Sequence, residues 1–335
     1  QDIGDLWPDH LVEMQKEAEN LLRGHLDALK QCKIHSPHVE SIPSFVIENI
    51  HSARNEITKY IWENYNNDTN KYSTLKKAHL LVSHLNGYRI NFDLSLIKKS
   101  MHLNKIRKLR KTILSRNTIR YNMYGTKTGR FSTEAGSFPI LNFDSSLKNY
   151  ILPKNDLFLV VDFNAAEVRT LLALNGHQQP PGDIHEFNKT IVDSKGIGRK
   201  EMKERFFAWL YNPDASEAQF EKLYNKKIYE KYYDNGYITT PFGRTMKVEE
   251  KKALNYLIQS TTNDIVVEKC CEIVDILSNY KSQVAFTVHD SIVIDIDRGD
   301  KNLIYPILDK VRQTRYGTMM VTAQLGKNYG ELINI

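Results

Sequence analysis

Residues 283–297, "QVAFTVHDSIVIDID", constrain the fold of this chain more than any other stretch. Two runs of apolar residues at alternate positions flank an acidic turn: Val284, Phe286 and Val288 before it, then Ile292, Ile294 and Ile296 after it. A period of two is typical of half-buried strands, and the polar residues between the runs suit a tight turn. We therefore expect an antiparallel hairpin that carries Asp290 at its turn.

A second apolar run, in "LFLVVDFNAAEVR" (157–169), also leads into an aspartate, Asp162. Each aspartate has an ordinary interpretation. Asp162 would cap a helix that begins at Phe163, and Asp290 would stabilise its own turn. Two carboxylates on neighbouring strands could instead hold two Mg²⁺ ions, about 3.5–4 Å apart, for phosphoryl transfer. At this point the sequence leaves both interpretations open.

The composition predicts an intracellular globular protein. The 335 residues are 41% hydrophobic, which is enough for a sizeable core and for two or three domains. No apolar run is long enough to span a bilayer. The three cysteines match neither a zinc site nor a disulfide framework, which favours a reducing compartment.

A long run of one charge sign lies between residues 98 and 130. It holds eleven basic residues and no acid: Lys98, Lys99, Lys105, Arg107, Lys108, Arg110, Lys111, Arg116, Arg120, Lys127 and Arg130. Solvated helices normally mix charge signs, so this run favours a polyanion partner, and nucleic acid above all. A basic surface helix without a ligand is the alternative.

The segment "RKEMKERFFAWLY" (199–211) repeats four side chains at a spacing of four: Arg199, Lys203, Phe207 and Tyr211. On a helix they form a slowly winding stripe roughly 18 Å long. The two cations suit triphosphate oxygens and the two rings suit stacking on a base, so the stripe fits a nucleoside triphosphate. An amphipathic helix with buried rings and solvated cations would have the same spacing.

The remaining stretches predict mostly helices. Apolar residues recur at helical spacing through residues 1 to about 85, and again in 94–116, 218–233 and 249–279. Residues 238–248, "ITTPFGRTMKV", predict a short hairpin.

Six segments follow the order found in family A DNA polymerases. They are "TGRFST" (128–133), "VVDFNAAEVR" (160–169), "GDIHEF" (182–187), "RKEMKERFFAWLY" (199–211), "KKALNYLIQSTTND" (251–264) and "VHDS" (288–291). A single match of this kind is weak evidence, whereas all of them in order are strong evidence. Over residues 86–335 the chain therefore resembles a family A DNA polymerase.

This resemblance implies an α+β right-hand polymerase with an antiparallel β-sheet palm, helical fingers and a helical thumb. The implied divisions are a helical N-terminal region with the thumb (1–127), the first part of the palm (128–180), the fingers (181–248) and the second part of the palm (249–335). The first motif follows residues 86–93 too soon for a full-length thumb. Either the thumb is reduced, or residues 1–85 supply part of it.

The resemblance also implies how the reacting groups are held. Asp162 and Asp290 would bind two Mg²⁺ ions together with the main-chain carbonyl of Phe163. Three residues would hold the incoming triphosphate: Arg199, Lys203 and His185. Lys203 would in addition protonate the leaving pyrophosphate.

Selection of the nucleotide and contact with DNA follow from the same resemblance. Phe207 would pack against the nucleotide, Tyr211 would lie near the templating base, and Glu167 would exclude the 2′-hydroxyl of a ribonucleotide. The implied DNA contacts are Arg130, Arg244, Lys251, Asn255, Gln259 and His289.

The chain departs from the family pattern at several of these positions. Ser291 stands where the family has an acid, Ala165 and Ala166 replace Gln-Ile, and Lys251 replaces Arg. Asp162 and Asp290 are both retained, so we expect activity to survive.

The expected function is template-directed 5′-to-3′ DNA synthesis from dNTPs with two Mg²⁺ ions. The setting would be phage DNA replication in the cytoplasm of a bacterial host, with primer-template DNA as partner and no membrane contact. A processivity factor or a replicative helicase is left open as a further partner. The alternatives are a single-subunit RNA polymerase of related architecture and a catalytically inactive, DNA-binding remnant of a polymerase.

Overall fold

The computed structural model of the chain describes residues 8–34, 39–64, 69–192, 196–212 and 215–335. Residues 1–7, which belong to the predicted helical N-terminal region, lie outside these ranges. The helices are α1 (Asp9–Gln31), α2 (Ser44–Asn64), α3 (Thr69–Leu85), α4 (Leu94–Lys99), α5 (Asn104–Ser115), α6 (Ala166–Leu174), α7 (Ile184–Ile191), α8 (Arg199–Tyr211), α9 (Ala218–Glu221), α10 (Glu250–Leu277) and α11 (Ile304–Arg312). The strands are β1 (Asn91–Phe92), β2 (Tyr121–Asn122), β3 (Ser132–Thr133), β4 (Ile151–Leu152), β5 (Leu157–Phe163), β6 (Tyr233–Asp234), β7 (Tyr237–Thr239), β8 (Thr245–Lys247), β9 (Gln283–Val288), β10 (Ser291–Ile296), β11 (Gln313–Thr314), β12 (Gly317–Thr318), β13 (Val321–Gly326) and β14 (Ile333–Asn334).

The chain divides into two compact units, residues 1–68 and residues 69–335. In the first unit α1 packs against α2, and the buried apolar residues of these two helices are Leu11, Ala18, Val46, Ala53 and Ile57. No described helix has the length and apolar character that crossing a lipid bilayer requires.

A five-stranded antiparallel sheet forms the centre of the second unit, in the order β14-β13-β5-β10-β9. Consecutive residues of a strand point to opposite faces. Residues 158–161 of β5 are all buried, so the middle strand is covered on both faces. The predicted hairpin is confirmed, because β9 and β10 pair and are joined at His289 and Asp290.

Strand β9 lies at an edge of this sheet, where main-chain groups need other partners. The buried Tyr121 supplies one, because its hydroxyl donates to the Thr287 carbonyl at 2.7 Å and accepts from the Thr287 amide at 3.1 Å. This contact ties β2 to the edge of the sheet.

Helix α10 connects two separate hydrophobic clusters. Its first half contributes Ala253, Leu257 and Ile258 to a cluster that includes α6, α7 and α8. Its second half contributes Ile265, Val266, Cys270, Ile273 and Leu277 to the cluster beneath the sheet. One helix of 28 residues therefore fixes both halves of the second unit to each other.

The single helix predicted over 94–116 is wrong, because the structure has two helices, α4 and α5, with a break between them. Ile97 and Ile106 are both buried. At about 100° per residue, nine positions on one continuous helix would put them on opposite faces. The break lets both side chains reach the same core.

The helix predicted over 218–233 is also wrong. After α9, the side chain of Asn225 accepts from the Lys227 amide and starts a 3₁₀ turn. Asn235 and Gly236, with φ of 47° and 83°, then join β6 to β7 in a hairpin. The helix predicted over 249–279 and the hairpin predicted over 238–248 are confirmed as α10 and as β7 with β8.

The combination of helices with small antiparallel sheets agrees with the mixed class that the sequence predicts. The compact units divide between residues 68 and 69, whereas the sequence boundaries fall at 127/128, 180/181 and 248/249. The subdivision into palm, fingers and thumb stays a prediction.

Replacing Tyr121 by Phe should lower the free energy of unfolding by about 1–3 kcal/mol, because it leaves both main-chain groups of Thr287 without this partner. Chemical denaturation measures the change. Tyr305→Phe, at a side chain that is 73% exposed, is the matched control and should have little effect. Equal stability of the two variants would contradict this account of the sheet edge.

Candidate active site

The two aspartates lie at the same edge of the sheet. Asp162 is within β5, opposite Ser291 of β10, and Asp290 directly precedes Ser291 in the hairpin turn. Helix α6 begins at Ala166, so the alternative that Asp162 caps a helix starting at Phe163 is wrong. Both carboxylates line one cavity of about 280 Å³.

Ser291 is bonded to one of these carboxylates. Its hydroxyl donates a hydrogen bond to Oδ1 of Asp162. The resemblance leads one to expect a third acid at position 291. Ser291 instead provides a hydrogen-bond donor that orients Asp162.

Asp290 lies where a negative charge is disfavoured. Burial raises its pKa. The negative charges of Glu167 and Asp162 raise it further, while Arg130 and His289 lower it. The donors at this edge are carboxylate oxygens, the type that Mg²⁺ prefers. A divalent cation between the carboxylates would relieve their repulsion, so the donor set fits a hard cation. Within the described ranges, no group of three or more His, Cys, Asp or Glu is arranged to hold a metal ion.

A second part of the wall of the same cavity comes from α7 and α8. It is formed by His185, Arg199, Lys203 and Phe207. The predicted stripe therefore does form on a helix, and three of its four members face the cavity of the two aspartates. Ala165, Ala166 and Glu167 complete the lining.

Arg199 is held in place by an acid that the sequence analysis did not assign. Oδ2 of Asp183 accepts from Nε and Nη2 of Arg199 at 2.9 and 2.6 Å. Oδ1 of Asp183 caps α7 by accepting from the amides of His185 and Glu186. Although burial acts to raise the pKa of Asp183, the bonds from Arg199 and from these amides lower it overall. An Asp before an apolar helical run is a capping signal, and this signal was readable in "GDIHEF".

His185 is buried beside the cations of the cavity. Burial lowers its pKa to about 4. The positive charges of Arg199 and Lys203 also lower it, while the negative charge of Asp183 raises it. The imidazole is therefore neutral at pH 7. Its Nδ1 has no hydrogen-bond partner within the described residues, and its ring centroid lies 6.1 Å from that of Phe207.

Glu167 joins three segments of the chain. One carboxylate oxygen accepts from Arg130 of the "TGRFST" turn, and the other accepts from the Tyr211 hydroxyl at 2.5 Å. The rings of Tyr211 and Phe207 lie 5.9 Å apart with an interplanar angle of 9°. The C-terminal end of α8 is thus attached to the start of α6.

A second and larger cavity, of about 1010 Å³, lies at the C-terminal end of α8, where Leu210 and Tyr211 line it. It is lined by three residues that the sequence analysis associates with DNA, Tyr211, Lys251 and Asn255. Gln259 donates to Asn255 at 2.7 Å along α10.

Arg244 supports the "TGRFST" turn. Its guanidinium is paired with the buried Asp264 through two bonds of 3.2 and 2.6 Å. It lies so close to Gly129 that an added Cβ there would be 2.4 Å from Cζ. Asn263 donates to the Gly129 carbonyl at 3.0 Å. Arg244 therefore packs against the turn that carries Arg130.

His289, another predicted DNA contact, is exposed in the hairpin turn and has a φ of 52°.

Arg169 is a further residue whose position the sequence did not indicate. It is fully buried, and it donates to the carbonyls of Asn164 at 2.9 Å, Pro180 at 3.3 Å and Gly182 at 2.5 Å. It thereby connects the turn after β5 to the residue before Asp183. No local pattern reveals this, because these carbonyls and the side-chain oxygen of Gln179, which accepts from Arg169 at 3.4 Å, are brought together only by the fold.

Comparison with known proteins finds two phage relatives. The chain is 24% identical over 203 residues to a DNA polymerase of Mycobacterium phage L5, which covers 51% of this chain and 33% of that protein. It is 23% identical over 172 residues to a DNA polymerase of Mycobacterium phage D29, which covers 41% of this chain and 28% of that protein. The matched region therefore spans about a third of each relative. No model of a known protein family matches the chain.

A solved structure has the same fold. It is the POL domain of Pol1 from M. smegmatis, in complex with DNA primer-template and dNTP. The TM-score is 0.55 at 14% sequence identity, and the match covers 96% of this chain and 66% of that chain. At this identity the likeness establishes the fold: this chain folds like a polymerase domain.

Replacing Asp290 by Asn should raise the melting temperature at pH 7 by a few degrees, because it removes an acid whose pKa is raised by burial and by neighbouring carboxylates. An acid with a raised folded-state pKa costs stability when it is ionised. This cost is present above the folded-state pKa and disappears as the pH falls below the ordinary value of 3.8. The gain in the variant should therefore shrink on acidification.

The measurement is thermal unfolding of both proteins between pH 4 and pH 8. Asp309→Asn is the control, since the Asp309 side chain is 78% exposed. A lower melting temperature of Asp290→Asn at pH 7 would contradict the charge repulsion described for this site.

Proposed function

We propose that this chain is a family A DNA polymerase that extends a primer in the 5′-to-3′ direction from dNTPs during phage DNA replication. One observation carries the proposal: a single cavity is lined both by Asp162 and Asp290 and by Arg199, Lys203 and Phe207. Carboxylates for metal ions thus share one cavity with cations for phosphate and a ring for the nucleotide. The two phage relatives are named DNA polymerases, and the similar solved structure is a polymerase domain in complex with primer-template and dNTP, which supports the same function.

The proposed metal ligands are Asp162, Asp290 and the main-chain carbonyl of Phe163. When bound, two Mg²⁺ ions would lower the barrier by neutralising the charge that develops on the attacking and leaving oxygens. The chain itself keeps the two carboxylates at one sheet edge, and Ser291 fixes the orientation of Asp162. Both effects reduce the reorganisation that ligand binding requires.

On the phosphate side, Arg199 and Lys203 would bind the triphosphate of the dNTP. Because Asp183 holds the guanidinium of Arg199, this cation is already oriented before a nucleotide binds. The Lys203 side chain is exposed to the cavity, where its ammonium can give a proton to the leaving pyrophosphate. The neutral imidazole of His185 would offer a hydrogen bond to a phosphate oxygen without adding charge.

Glu167 would distinguish deoxynucleotides from ribonucleotides. It lines the cavity, and its bonds to Arg130 and Tyr211 keep the carboxylate from turning away. A 2′-hydroxyl would meet a fixed side chain. This supports DNA synthesis over the alternative of a single-subunit RNA polymerase.

Primer-template DNA would contact the chain at several places. Ten of the eleven basic side chains between residues 98 and 130 are exposed, and Arg130 is half-buried in the site. The cavity that Tyr211, Lys251 and Asn255 line would receive the template strand, with Gln259 and His289 as further contacts. The proposed setting is the cytoplasm of the bacterial host.

A primer-extension assay with Mg²⁺ tests the function directly. We expect the wild-type chain to extend a primer with dNTPs far better than with rNTPs. Asp162→Asn should reduce extension by on the order of a thousandfold, because it removes a metal ligand whose charge the transition state uses. DNA binding should persist in that variant.

Asp309→Asn is the control and should extend primers like the wild type. Full extension by Asp162→Asn would exclude the metal assignment. Tight DNA binding without extension by the wild type would instead favour an inactive remnant, and preference for rNTPs would favour an RNA polymerase.

Removal of the Glu167 carboxylate should relax sugar selection. Glu167→Ala opens the space beside the 2′ carbon, so we expect rNTP incorporation relative to dNTP to rise by roughly 10²-fold or more. Glu167→Gln keeps the size of the side chain and should stay selective. Competition between labelled rNTP and dNTP in single-nucleotide extension measures the ratio, and equal selectivity of the two variants would refute the assignment.

A further inference from the structure

Lys226 is bound to the end of the helix that carries the nucleotide-facing stripe. Its Nζ donates to three main-chain carbonyls, those of Trp209 at 3.3 Å, Asn212 at 2.9 Å and Ala215 at 2.7 Å. The same ammonium lies 4.9 Å from the centroid of the Trp209 ring. Lysine has three N–H donors, so one ammonium can bind all three of these carbonyls.

The last carbonyls of a helix have no partner within the helix, and they carry the negative end of its dipole. Helix α8 ends at Tyr211, and Asn212 beyond it has an extended conformation with φ of −94° and ψ of 113°. The ammonium of Lys226 therefore serves as a C-terminal cap supplied by a residue outside the helix, 14 positions after Asn212. It neutralises the negative end of the helix dipole and holds the main chain at Trp209 and Asn212.

The position of this helix end matters for the site. Tyr211 lies between two of the residues whose carbonyls Lys226 binds, and its hydroxyl donates to Glu167. Its ring stacks on Phe207, which lines the cavity of the two aspartates. Release of the helix end would loosen Tyr211 first and Phe207 next.

The rest of α8 is anchored on its other face. Phe206 and Trp209 pack with Phe220 and Tyr224, with ring centroids 4.8 to 5.5 Å apart. This packing buries the helix but does not set the direction of Tyr211, which leaves from the opposite side. The Lys226 cap is thus a contact at the end of the helix that carries Tyr211.

We propose that Lys226 is a positioning residue that holds the C-terminal end of α8, and with it Tyr211 and Phe207, in the geometry that binds the incoming nucleotide. The inference rests on the proposed function for the identity of the ligand, a dNTP opposite a template base. Lys226 itself touches no reacting atom in this account. Its effect passes through the main chain of residues 209–212.

The test replaces Lys226 by Met, which keeps the length of the side chain and removes the three donors. Lys222→Met is the control, because Lys222 is exposed and lies just four residues earlier. Steady-state primer extension should give a KM for dNTP that is roughly 10- to 100-fold higher in Lys226→Met, with kcat changed far less. The dissociation constant for primer-template DNA and the far-ultraviolet circular dichroism should stay at wild-type values.

A double-mutant cycle with Tyr211→Phe measures the coupling between the two substitutions in their effects on KM. A general loss of stability would not produce such coupling. If Lys226 acts through Tyr211, the two effects on KM should be far from additive. Additive effects, an unchanged KM, or a weaker affinity for DNA with unchanged KM would each overturn the proposal. Should Lys226→Met fail to fold, Lys226→Gln takes its place in the same comparison.

A structural readout separates this inference from the proposed function. With Trp7 and Trp62 replaced by Phe, emission reports Trp209 alone. The emission of Trp209 should change with Lys226→Met and not with Lys222→Met, whether or not the chain extends primers. Loss of extension in the wild type would reject the polymerase function, while unchanged Trp209 emission would reject the role of Lys226.

Discussion

The antiparallel pairing of β5 with β10 places Ser291 opposite Asp162 and so brings Asp290 beside it. Side chains alternate between faces along a strand, so a slip of one residue would turn Asp162 toward the other face of the sheet. Register is well specified here because residues 158–161 are buried in the middle of the sheet. Burial of apolar surface on both faces thus fixes the relation between two acids that are 128 residues apart in the chain.

The two walls of the cavity have different supports. The acidic wall belongs to the sheet and its cluster, whereas the wall with Arg199, Lys203 and Phe207 belongs to the cluster around α8. Polar contacts cross between them: Arg169 ties the turn after β5 to the residue before Asp183, and Glu167 binds Arg130. These contacts of charged groups add to the connection that α10 makes between the two clusters.

Local sequence patterns predicted those parts of the structure that local interactions determine. The hairpin at Asp290 follows from alternation, and the stripe on α8 follows from a spacing of four. Contacts of Lys226, Arg169 and Arg244 could not be predicted, because their partners are main-chain carbonyls or a buried acid brought together only by the fold. The hairpin at Asn235 and Gly236 has a local cause, since Asn-Gly favours positive φ at both positions, whereas the apolar spacing of residues 218–233 predicts a helix there.

Helix α10 has a further consequence for how sequences of this type can diverge. It is roughly 42 Å long, and its two halves are seated in different clusters. Insertion or deletion of one residue near its middle would rotate one half by about 100° relative to the other and disrupt both clusters at once. Changes in length between relatives should therefore accumulate in the connections around the helix, such as the stretches between α8 and β6, while α10 keeps its residue count.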